Sequence, residues 1–151
     1  MAGTLAAQPR VRNSFWAIDS AGLVMAAALL TVKFMSEGQD FLAGGFLVFA
    51  IGEGVMLSGT AGTLVDSIPA FAAGTALWSV ALLLISIPKA FVLWVRLIGI
   101  AAAFLFALTS AQIFWGKPLS PISSPLPFFA YPFIVAVFIG WIWTLLRDPQ
   151  R

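Results

Sequence analysis

The chain has 151 residues, of which 61% are hydrophobic and 9% are charged, and its formal net charge is +2. A soluble domain carries roughly 25% charged residues, so the composition argues against a water-soluble domain and indicates that lipid is the solvent. The absence of cysteine and histidine excludes disulfides, thiolate metal sites, histidine-ligated haem and Ser-His hydrolysis. The basic residues are scattered singly, which argues against nucleic-acid binding.

Short polar segments divide the apolar part of the chain into five candidate membrane spans. A hydrocarbon layer of about 30 Å needs about 20 apolar residues per helix. In chain order the predicted spans cover residues 15–35, 41–65, 69–87, 90–115 and 126–146. Residues 1–14 form a polar tail, 116–126 a Pro- and Ser-rich loop and 147–151 a second tail. The sequence therefore predicts an all-α fold, with one polytopic transmembrane domain over residues 15–146.

Local residue types explain where these predicted helices begin and end. Ser14 is a suitable N-cap for the first span, and Pro69 suits the first turn of the third. Trp94 and Trp115 lie near the two ends of the fourth span, where indole rings favour the membrane interface. The several prolines of the 116–126 loop cannot continue a helix.

The number of spans decides whether the two termini share a membrane side. Five spans, which the segment lengths favour, place the termini on opposite sides, with a slight excess of basic residues on the side of the C-terminus. If one Gly-rich segment is re-entrant, four spans remain. The cytoplasmic face then carries Arg10, Arg12, Arg147 and Arg151. This alternative gives the cleaner charge pattern, so the orientation stays open.

One acidic residue, Glu53, lies about twelve residues from either end of its predicted span. An ionised acid at the bilayer midplane costs several kcal/mol if it faces lipid, so Glu53 should be hidden between helices. Small residues that allow close helix packing recur at every fourth position on two spans. The first ladder is Ala50, Gly54, Ser58 and Gly62, and the second is Gly99, Ala103, Ala107 and Ala111.

A basic residue on the fourth span, Arg96, is the candidate partner of Glu53. In an antiparallel five-span arrangement the two residues differ in depth by about 9 Å at about 1.5 Å per residue. We therefore expect the two ladders to pack together and Arg96 to reach Glu53 directly or through water. This polar pair has two interpretations. It locks the helix register, or it forms a protonatable gate or a substrate-binding pair.

The sequence contains no motif that compels a particular reaction, a cofactor or a metal site. Its leading functional interpretation is a non-enzymatic accessory or scaffold protein of a bacterial-type inner membrane. The expected partners are membrane lipids and other membrane subunits or a second copy of the chain. The alternative is a transporter or channel for protons or a small solute, with Glu53 as the titrating group.

Overall fold

The computed structural model describes residues 8–147, and this part of the chain is built of α-helices without strands. The helices are α1 (Pro9–Ser36), α2 (Asp40–Gly59), α3 (Ile68–Ser86), α4 (Leu93–Phe114) and α5 (Tyr131–Arg147). A short 3-10 turn, Phe128–Ala130, leads into α5. Within the described residues five helical segments are long and apolar enough to cross a membrane, counting this turn with α5. The predicted all-α bundle and the preferred number of five helices are thus confirmed.

Helix α1 begins at Pro9, six residues before the start predicted from Ser14. Proline is favoured in the first turn because its fixed φ suits a helix and its missing N–H is not needed there. Residues 9–14 of the predicted polar tail are therefore helical, and residues 1–7 lie outside the described residues. At the other end of the chain Arg147 closes α5, and residues 148–151 likewise lie outside the described part.

Helix α2 ends at Gly59, six residues before the predicted end at residue 65. A turn follows, in which the Asp66 carboxylate accepts hydrogen bonds from the Thr63 amide at 3.0 Å and the Thr63 hydroxyl at 2.6 Å. These two bonds hold the pKa of Asp66 below its ordinary value. The turn offers the chain an alternative to continued helix, which is the reason why hydroxyl and carboxylate side chains favour helix ends.

The helices pack in chain order, so that α3 lies between α2 and α4. Close backbone contacts join α1 to α2, α2 to α3, α3 to α4 and α4 to α5. Short connections favour packing between consecutive antiparallel helices, which explains this order. Helix α5 also reaches α2 through aromatic rings, with the Phe46 and Trp141 centroids 5.0 Å apart. The start of α1 and the end of α5 therefore lie at opposite ends of the bundle, here named the N-terminal and C-terminal ends.

Helices α2 and α3 approach each other closely, and this approach depends on glycine. A Cβ atom added to Gly52 would lie 2.9 Å from Leu77 Cβ, and one added to Gly74 would lie 2.9 Å from the Gly52 carbonyl oxygen. Both distances are too short for a side chain. Glycines on α2 face α3 every seventh residue: Gly45, Gly52 and Gly59.

The predicted α2 ladder is not the surface that packs against α3. Ala50 is buried, but Gly54 is half-buried and has open space around an added Cβ. Ser58 is exposed, and Gly62 lies beyond the end of α2. A four-residue repeat winds slowly around a helix with 3.6 residues per turn, so its members leave the buried face.

The α4 ladder is only partly buried. Gly99 and Ala103 are buried, whereas Ala107 is exposed and Ala111 is half-buried. The predicted contact between the two ladders is wrong, because in residues 8–147 α3 separates α2 from α4 and no close backbone contact joins them. Each of these two helices packs against α3 instead of against the other.

Aromatic rings fill the centre of the bundle. Phe49 is 2% exposed, stacks on Trp78 at 5.3 Å and meets Trp141 edge-on at 6.3 Å. Large apolar side chains also cover the outside, and several on α1 are exposed by 60% or more: Ile18, Met25, Leu29, Val32 and Met35. A helix bundle that is apolar inside and outside is suited to lipid rather than water.

Candidate functional site

A cavity of about 480 Å³ lies at the N-terminal end of the bundle. Its wall includes Trp16 and Ser20 of α1, Glu53 of α2 and Trp78 of α3. The turn between α2 and α3 also lines the cavity, the loop before α5 contributes Pro121, and α5 itself contributes aromatic rings. Four helices and two loops therefore meet around one space.

Glu53 is the more deeply buried of the two acidic residues that line this cavity. Its side chain is 4% exposed, as expected for an acid hidden between helices. The Ser20 hydroxyl donates to Glu53 Oε1 at 2.6 Å. Glu53 Oε2 is buried, lies on the same carboxyl group and has no hydrogen-bond partner. A buried acceptor without a hydrogen bond is costly, so this oxygen is the atom of the cavity best suited to accept a hydrogen bond from a bound molecule.

The indole of Trp78 faces the same carboxyl group. Its N–H lies near enough to interact with Glu53, but Trp78 Nε1 is buried and makes no well-formed hydrogen bond. The rest of the indole ring packs against other aromatic rings: Trp78 stacks on Phe49 and meets Phe106 edge-on at 5.1 Å. Trp78 is thus a core residue whose one polar atom points toward the site.

Tyr131 and Asn13 tie the loops of the N-terminal end to the helices. The Tyr131 hydroxyl donates to the Pro121 carbonyl at 2.8 Å, and the Asn13 amide donates to the Thr60 carbonyl at 3.3 Å. These bonds satisfy carbonyl groups in two segments that have left helical geometry. They hold the rim of the cavity in place.

Arg96 does not pair with Glu53. Arg96 Nε donates to the Ser86 carbonyl at 2.8 Å, and Nη2 donates to the Ile87 carbonyl at 2.8 Å. A cation bound to the last carbonyls of a helix also meets the negative end of its dipole. Arg96 therefore caps α3 at the C-terminal end of the bundle. Within the described residues the ion pair is between Lys33 and Glu37 on α1 and the following turn.

The depths of the two residues explain why the predicted pair does not form. Glu53 lies thirteen residues after the first residue of α2, and Arg96 lies three residues after the first residue of α4. The difference is about 15 Å at about 1.5 Å per residue, rather than the predicted 9 Å, because α4 begins at residue 93. Helix α3 also stands between them.

Replacement of Arg96 tests its role as a cap. Arg96→Met should lower the free energy of unfolding by about 1.5–3 kcal/mol, the range for hydrogen bonds to a charged group. Arg96→Lys should recover only part of this loss, because an ammonium group cannot reproduce the two-pronged guanidinium geometry. Thermal unfolding in detergent measures both, with exposed Lys89→Met as the control. Non-additive losses in an Arg96→Met, Glu53→Gln double variant would contradict the assignment and favour direct pairing.

Sequence reasoning missed Ser20 as the partner of Glu53. A hydroxyl group within an apolar span needs a hydrogen-bond acceptor, and this need was the sequence signal that could have pointed from Ser20 to Glu53. The position of the Trp78 N–H near Glu53 was likewise not predicted.

A second cavity of about 310 Å³ lies at the C-terminal end. It is lined by Lys33, Glu37 and Lys89 together with the rings of Phe34 and Phe91. Ring contacts continue from Phe34 through Phe46, Trp141 and Phe138, which lines the first cavity, with centroid separations of 5.0–5.5 Å. These four rings, here named the aromatic layer, therefore lie between the two cavities at opposite ends.

Comparison with known proteins identifies no relative of this chain. The features of the chain that bear on its function are consequently the cavity, Glu53 and the aromatic layer. No family model, curated protein or solved structure matches the chain.

Proposed function

We propose that this chain is an integral protein of a bacterial-type inner membrane that transports protons or a small solute by means of Glu53. Five long apolar helices and the apolar outer surface support a place in the membrane. Irregular backbone occurs at the two ends of the bundle, where water or head groups can satisfy it.

The observation that carries the transport proposal is that Glu53 is buried and has one carboxyl oxygen without a hydrogen bond. An acid buried among apolar helices is expensive and is retained where it binds a proton, an ion or a substrate. Glu53 Oε2 has no partner and the residue lines a cavity large enough for a small molecule. A carboxyl group that only locked helix register would be expected to have both oxygens satisfied.

The two cavities suggest how transport would proceed. In this proposal the aromatic layer between them has to move for a solute to pass from one cavity to the other. Alternation between openings at the two ends is a general solution for membrane transporters. In this scheme Glu53 holds the transported species on the N-terminal side of the layer.

Proton flux into liposomes tests the role of Glu53. In vesicles with an imposed potential and an internal pH-sensitive dye, the wild-type chain should acidify the interior faster than protein-free vesicles. Glu53→Gln should reduce the rate to that of protein-free vesicles, because glutamine can accept the Ser20 bond but cannot carry a proton. Asp40→Asn, an exposed acid at the opposite end that lines neither cavity, is the matched control. Equal flux in wild type and Glu53→Gln, or no flux in either, would contradict transport.

A second candidate function is that of an accessory or scaffold protein. Small residues that do not serve internal packing remain at the surface of α2 and α4, namely Gly54, Ser58 and Ala107. Such residues permit another helix to approach closely. This proposal predicts that extraction in a mild detergent recovers a larger complex. A monodisperse monomer without partners would contradict it.

A further inference from the structure

We propose that the solute bound beside Glu53 is a protonated amine carried on an apolar, aromatic-sized body. The inference rests on the proposed function and names the chemical class of the solute. It depends on three properties of the N-terminal cavity, which are its charge, its unsatisfied acceptor and the nature of its walls.

The charge of the cavity favours a cation. Its wall carries the Glu53 carboxyl group, and no lysine or arginine is among its described lining residues. Because ionic interactions are strong where water is excluded, this wall attracts a single positive charge and repels an anion. The second cavity differs, since Lys33 and Lys89 line it.

The unsatisfied acceptor favours an amine over a quaternary ammonium ion. Glu53 Oε2 is buried without a hydrogen-bond partner, and a protonated amine brings an N–H donor together with its charge. Charge-assisted hydrogen bonds of this kind are about twice as strong as neutral ones. A quaternary ammonium ion would provide the charge but leave the oxygen without a donor.

The walls favour an apolar body. Rings of Phe71, Tyr131 and Phe138 line the cavity, and aromatic rings attract both apolar groups and cations. The volume of about 480 Å³ lies within the range of about 300–1,000 Å³ that is typical of small-molecule sites. A head group with one phenyl-sized substituent therefore suits the space.

Competition with a proton would couple the amine to proton movement. When protonated Glu53 binds an ammonium group, its proton leaves to water and the carboxylate pairs with the cation. Among the described residues, the titratable groups that act on Glu53 are Asp19 from α1 and Tyr131 from α5. Calorimetry in buffers of different ionisation enthalpy would register the released proton.

A matched series of ligands tests the proposal on the purified full chain. We would titrate 4-phenylbutylamine, 4-phenylbutanol and 4-phenylbutyrate into the protein in nanodiscs at neutral pH, because they share one body and differ in the head group. The amine should bind saturably and at least about 10-fold more tightly than the alcohol, since a buried charge pair is lost in the alcohol. The carboxylate should show no saturable binding.

Variants separate the site from partition into lipid. Glu53→Gln should abolish the preference for the amine and leave the affinity for the alcohol nearly unchanged, whereas Asp40→Asn should keep the preference. Equal binding of amine and alcohol, or a preference that survives Glu53→Gln, would overturn the inference. Glu53-dependent proton flux without amine preference would overturn only the inference, and amine preference without flux would overturn only transport.

Discussion

Phe49→Ala should lower the free energy of unfolding by about 2–3 kcal/mol. Phe49 lies where α2, α3 and α5 meet, through its ring contacts with Trp78, Phe138 and Trp141. Lipid tails are as apolar as a phenyl ring, so the loss is mainly the cost of the cavity. A cavity of roughly 100 Å³ at about 24 cal/mol per Å³ gives this magnitude. Denaturation in mixed micelles, followed by tryptophan fluorescence, measures the change.

The control for Phe49 is an equivalent change on the outer surface. Phe104 on α4 is 64% exposed, so Phe104→Ala removes the same atoms without leaving an internal cavity. We expect its effect on the free energy of unfolding to stay within about 0.5 kcal/mol. Similar losses in the two variants would show that the ring of Phe49 does not hold α5 against α2.

Gly74→Ala should lower the free energy of unfolding by about 1–3 kcal/mol, the usual cost of overpacking. The added methyl group would meet the Gly52 carbonyl oxygen at 2.9 Å and would also meet Met56. Backbone atoms cannot rotate away, so α2 and α3 have to separate. The same denaturation measurement applies, and loss of the flux that depends on Glu53 should accompany the change in packing.

Gly54→Ala is the matched control, and its expected effect has the opposite sign. A Cβ atom at Gly54 would meet nothing within 4 Å, so the substitution gains helix propensity of up to about 1 kcal/mol without a clash. Both substitutions gain helix propensity, but only Gly74→Ala also creates a clash. The difference between their stability changes therefore measures the cost of packing. A destabilised Gly54→Ala variant would instead indicate that the outward ladder residue packs against a partner.

Helix positions were predictable from the chain because span length and hydropathy are local properties. The prediction for α3 at residues 69–87 lies within one residue of Ile68–Ser86 at each end. The end of α2 was predicted six residues too late, because residues 60–65 are apolar enough to continue a span while Thr63 and Asp66 form a hydrogen-bonded turn. Hydropathy averages over such a turn and does not register its side-chain bonds.

The candidate site was predictable only in part. The depth of Glu53 in its span indicated that it must be buried, since the cost of an acid in lipid does not depend on which helix covers it. The hydrogen-bond partner of Glu53 was not predictable from spacing alone. Ser20 binds Glu53, whereas Arg96 binds the end of α3. The partner depends on which helices are neighbours and on how each helix is rotated about its axis.

The amino-acid sequence by itself determined that this protein is a bundle of four or five apolar helices with one acid concealed between them, because each property follows from local composition and the cost of burying charge. Only the tertiary structure decided that α3 separates α2 from α4, that Arg96 caps α3, and that Glu53 lines a cavity. The physical reason is that helix neighbours, register and rotation arise from packing over the whole bundle. Close approach of α2 and α3 at Gly52 and Gly74 sets that packing.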